Sequence, residues 1–156
     1  MMNIFHPRAL PGLVTGLALF LFLFSGQAAQ AKSALDKISA GSITWTIELA
    51  DDPDSRQTGL MNRRSMAAKT GMLFRFNRTE EIAMWMKNTF IPLDMVFMNE
   101  AGRITHIHYG AVPQSLDIIS SNGPVRYVLE INAGEAKEHD LQIGRTMQHP
   151  WFAGTN

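Results

Sequence analysis

The chain has 156 residues, no cysteine, and fourteen basic against fourteen acidic side chains. That balance leaves no basic stripe to neutralise phosphates, which argues against nucleic acid as a partner. Without thiols the chain has no disulfide, no zinc–thiolate site and no cysteine nucleophile.

The N-terminus reads as a targeting segment. His6 and Arg8 precede an apolar run from Leu13 to Phe24, and "SGQAAQA" follows with Ala29 and Ala31 at small-residue positions. This is the order of a secretory signal peptide, expected over residues 1–31 and cleaved near Ala31. The run falls short of the roughly 20 residues a membrane span needs, so no stable span is expected after cleavage. No cysteine follows it, which excludes a lipid-anchored form. A periplasmic or secreted protein is the expectation, with an uncleaved anchor as the alternative.

Residues 32–42 are polar and rich in Ser and Ala, as suits a flexible mature N-terminus, and 43–156 are expected to form a single domain. "SITWTIEL" alternates, with Ile43, Trp45, Ile47 and Leu49 on one face, and predicts a half-buried strand. Asp52 as N-cap and Pro53 at the first helical position predict a short helix. Ser65 offers a second helical turn ended by Gly71, followed by a strand over 72–76 and a polar connection over 77–81. Residues 93–98 and 103–109 read as a hairpin turning near Gly102. Residues 110–124, with the turn signal "NGP", read as a loop. "VRYVLEIN" predicts another strand, "AGEAKEHDL" a helical turn and "QIGRTMQ" a closing strand. The sum is a mainly-β protein, a compact β-sandwich or barrel with two short helices.

The segments "RQTGLMNR" (56–63), "GMLFRF" (71–76), "WMKNTFIPLD" (85–94) and "YVLEINAG" (127–134) resemble the domain of unknown function 192 family. The resemblance covers about residues 43–147. It implies a jelly-roll-like sandwich and brings no established activity, so function must be argued from a site.

"MWMKNTFIPLDMVFM" (84–98) is the stretch that asks for one, because it sets Lys87, Asn88 and Asp94 among apolar residues. Charge is rarely buried without a partner. Alternation places Trp85 and Lys87 on one side of a strand, and Asp94 is expected to return to that side and pair with Lys87 against the indole. Asn88 and Thr89 are free to bond the turn. One reading is a turn whose polar groups fix the fold. The other is a ligand pocket in which Trp85 stacks on a ring or apolar body while Lys87 and Arg56 hold an anionic or hydroxyl-rich group.

Other constellations are weaker. His106 and His108 share a strand face as paired metal ligands would, yet Val112 and Pro113 stand where a cupin-like site wants a carboxylate. Methionine with histidine suits copper(I), but methionine more often fills core space. Asp94 with Glu130 is the one carboxylate pair to consider for glycoside chemistry, and a lysine beside Asp94 is wrong for a general acid. No nucleophile elbow or phosphate-cradling loop is present. The expectation is a non-catalytic binding module for a small polar ligand or an envelope component, without cofactor. A metal-assisted hydrolase and a copper-handling periplasmic protein are the alternatives.

Overall fold

The computed structural model describes residues 36–152. The expected signal segment and residues 32–35 lie outside the described residues. Six strands form one sheet: β1 (Asp36–Ala40), β2 (Ile43–Ala50), β3 (Thr70–Met84), β4 (Leu93–Met98), β5 (Ile104–Ala111) and β6 (Ile119–Asn132). Two short helices, α1 (Pro53–Thr58) and α2 (Glu135–Glu138), complete the set. The protein is therefore mainly β, as expected.

The strand order is β1-β2-β3-β6-β4-β5, so the sheet is open, with β1 and β5 at its edges. Neighbours are antiparallel except β2 and β3. A parallel pair needs a crossover rather than a tight turn, and α1 with the segment after it supplies one. Asp52 starts that helix: its Oδ1 accepts hydrogen bonds from the backbone N–H of Asp54 and Ser55, and Pro53 needs no partner.

Apolar residues pack against both faces of the central strands. Leu93, Met95 and Phe97 of β4 join one cluster with Phe74, Val128 and Met86. Val96 and Met98 join the other with Trp45, Leu129, Ile131 and Met147. All six residues of β4 are buried, which explains its nearly continuous apolar sequence. Asp94 interrupts that sequence.

Five expectations are corrected. Residues 36–40 are no flexible lead-in but an edge strand, held because Ile38 and Ala40 are buried and paired opposite Trp45 and Ile43. Two apolar residues are too few for the alternation to be read in advance. No second helical turn forms at Ser65, and β3 instead runs on through the polar 77–81 stretch. That stretch is accommodated as an irregularity: Arg75 lies opposite Tyr127 but Glu80 opposite Val125, so β3 bulges outward where it is exposed. Likewise "NGP" is no reversal, because β6 passes through it with Asn122 at φ 55°. The expected closing strand reduces to two bridges, Ser39 to Gln148 and Arg103 to Thr146.

Candidate functional site

A cavity of about 220 Å³ opens between α1, the far end of β3 and the turn that follows it. Arg56, Trp85, Lys87 and Thr89, all singled out from the sequence, line it. Phe74, Phe76, Leu60 and Met84 give it apolar walls, and Glu130 lines it from β6.

The rim is cationic. The Arg56 Nη1 donates to the backbone carbonyls of Asp51 and Arg75 at 2.6 and 3.0 Å, which fixes the guanidinium 5.9 Å from the Phe76 ring centroid. The Lys87 Nζ lies 5.2 Å from the Trp85 centroid, and that indole is 46 % exposed. A cation over an aromatic face is attracted by the ring quadrupole, so both charges are held at the mouth. Among the described residues neither forms an ion pair with a carboxylate; the described pairs involve Arg63, Arg75, Arg78, His139 and His149.

Gly59 shapes one wall. It ends α1 at φ 47°, a conformation that favours glycine, and a Cβ there would sit 3.2 Å from the Phe74 ring. Met61 and Asn62, just beyond it, are tied to the turn. Asn62 N–H donates to the Asn88 carbonyl at 2.8 Å, and Asn88 Nδ2 lies 3.9 Å from the Met61 sulfur. Asn88 therefore braces the pocket from outside, at φ 55°, instead of lining it.

Asp94 is not in the site. Its strand neighbours Leu93 and Met95 face the pocket-side cluster, so Asp94 points to the opposite face of the sheet. There it is fully buried, and its oxygens accept hydrogen bonds from the backbone N–H of Gly110 (2.9 Å), Gly134 (2.9 Å) and Ala136 (3.0 Å). Two of those donors belong to the start of α2, whose N-cap residue Gly134 has no side chain to cap it. The expected Lys87–Asp94 ion pair is thus replaced by a cap supplied from a neighbouring strand. "IPLD" begins β4 one residue before the aspartate, at Leu93, and the pleat then turns Asp94 away from Lys87.

Glu130, weighed from the sequence only as a partner of Asp94 for glycoside chemistry, is the residue that the structure adds to the pocket. It pairs with Met72 of β3 and Met95 of β4, so its side chain faces the pocket side. It is 5 % exposed, and burial alone pushes its carboxyl up to about 8. No described side chain or backbone N–H bonds to it. Asp94 lies beside Ile131, one register step away and on the opposite face, so the two carboxyls cannot work as a pair. In "YVLEIN" Glu130 alternates with the apolar residues and reads as solvent-facing. Its burial follows from β6 lying at the centre of the sheet, with β3 and β4 on either side.

The remaining candidates lie elsewhere. His106 and His108 are on the edge strand β5. His106 stacks on Phe97 at 5.6 Å and contacts Asn122, and desolvation, then the nearby His108, lowers its pKa. Among the described residues no group of three or more His, Cys, Asp or Glu side chains is placed to hold a metal ion. Met72, Met86, Met95, Met98 and Met147 are buried in the two apolar clusters.

A mainly-β domain with a walled, cation-rimmed pocket is the class that fold and site define. The model of the DUF192 family, described as "Uncharacterized ACR", matches residues 36–149, and the chain belongs to this family. Two crystal structures are similar. One, of a proposed transcription regulator from Sinorhizobium meliloti 1021, has 47 % identity and a TM-score of 0.68 over 72 % of this chain and 89 % of its own. The other, of a protein of unknown function from Novosphingobium aromaticivorans DSM 12444, has 30 % identity and a TM-score of 0.71 over 74 % of this chain and 85 % of its own. No curated protein matches the chain.

Proposed function

We propose that this domain is an exported, non-catalytic binding module whose pocket between α1 and the 85–89 turn takes a small polar ligand. The single observation that supports it most is Glu130: a carboxyl with no bonding partner, in the wall of an apolar cavity. Burying such a group costs roughly 2–7 kcal/mol when nothing compensates it. A fold with no use for it would be more stable with an aliphatic residue there. Native domains tolerate such a cost mainly at sites. The pocket volume, below the roughly 300–1,000 Å³ of drug-sized sites, suits a ligand of metabolite size.

The neighbour's description as a proposed transcription regulator lends little to a DNA-binding reading, given the balanced charge of this chain. Chemical-shift mapping against a library of small acids, amines, sugars and zwitterions tests the binding reading. Shifts confined to the amides of Trp85, Lys87, Thr89 and Glu130, and lost in Trp85→Ala, support it. A library without effect at those amides contradicts it.

A further inference from the structure

The pocket of the binding reading is electrically polarised along its depth. One carboxyl, Glu130, is buried in it, and the two cations, Arg56 and Lys87, belong to its more exposed rim. Among the described lining residues these three are the charged or titratable ones; the others are apolar or neutral. The cations do not neutralise Glu130, since neither forms an ion pair with it and neither contributes to its shift. From the strands around it, Glu130 meets Met72 and Met95, which carry no charge. Each end of the pocket thus lacks a counter-charge of its own.

We infer that the ligand is a small zwitterion, its ammonium group directed inward to Glu130 and its carboxylate outward to Arg56 and Lys87. This rests on the binding reading and gives it a ligand class. A simple carboxylic acid would satisfy the rim and leave Glu130 buried without a partner. A simple amine would pair with Glu130 but pass two unshielded cations at the mouth. Only a molecule carrying both charges answers both ends. The walls suit the inward end, because the buried Phe74 lines the same cavity as Glu130 and an aromatic ring attracts a cation. Pairing with an ammonium requires the ionised carboxylate, so Glu130 gives up its proton to solvent as the ligand binds at neutral pH.

The probes are the amino acids glycine, β-alanine, 4-aminobutyrate and 6-aminohexanoate, whose length measures the spacing of the two ends. Butyrate and butylamine, each lacking one charge, are the controls. Calorimetry on the mature chain should show one of the zwitterions binding at least tenfold more tightly than either control. Glu130→Gln should weaken that binding at least tenfold while keeping the wild-type amide spectrum. In two buffers of different ionisation heat at pH 7, about one proton should be released per ligand bound. Equal binding of butyrate, no proton release, or unchanged affinity in Glu130→Gln overturns the inference. Silence across the series also overturns it. In that case another pocket ligand found by shift mapping leaves the binding reading standing, and a silent library removes both.

Discussion

Asp94 and Glu130 lie on adjacent strands one register step apart, and both are buried acids, yet their surroundings are opposites. Asp94 faces α2 and accepts three backbone hydrogen bonds, so it completes a helix start that its own loop leaves open. Glu130 faces the cavity and bonds to nothing described. Burial by itself therefore does not separate a structural carboxyl from a candidate site; the count of partners does. The sheet's pleat decides which acid receives which role, because one step along the strands moves a side chain to the other face.

The largest effect that could break this contrast is the pH dependence of stability. Glu130 holds its proton more tightly in the folded chain, near pH 8, than in the unfolded chain, near pH 4.5. The folded state then binds more protons between those values, so stability is full below about pH 4.5 and is lost as pH rises toward 8. The span corresponds to about 5 kcal/mol, from 1.36 kcal/mol per pKa unit. Urea unfolding from pH 4.5 to 8.5 should show this slope in the wild type and its loss in Glu130→Gln. Equal slopes in the two proteins would mean that Glu130 titrates normally.

Next in size is the removal of the cap. Asp94→Ala removes the acceptor of three backbone N–H groups, that of Ala136 buried and those of Gly110 and Gly134 partly so, a loss on the order of 3–5 kcal/mol. Chemical denaturation measures it, and a cost below about 1 kcal/mol would refute the capping role. Glu130→Leu at pH 7 should go the other way and leave stability equal or raised, since it removes an uncompensated polar group. The smallest effect is that of Lys87→Met. Its charge lies at the exposed mouth, so stability should change by less than about 1 kcal/mol. A loss comparable to that of Asp94→Ala would tie Lys87 to the fold rather than to the pocket.

Much of the pocket was legible in advance. Arg56, Trp85, Lys87 and Thr89 come from two separated segments, and the family motifs brought both forward before any geometry was known. The strand from Ile43 and the helix from Pro53 were legible too, because alternation and an Asp–Pro start are local signals. The role of Asp94 was not, since three donors from two other elements satisfy it and none is near in sequence. The place of Glu130 in the pocket was hidden for a related reason. Alternation tells which residues share a face, but only the strand order shows that a face is covered. The bulges in β3 and β6 were hidden because polar and turn-forming residues read as connections when their strand partners are unknown.

The most direct test of the central claim is a carbon-13 titration of the Glu130 side-chain carboxyl in the ligand-free protein. The account predicts a single midpoint near pH 8, identified by its absence in Glu130→Gln. A midpoint near 4 to 5, the ordinary range of a solvated glutamate, would contradict it and make Glu130 a surface acid like any other.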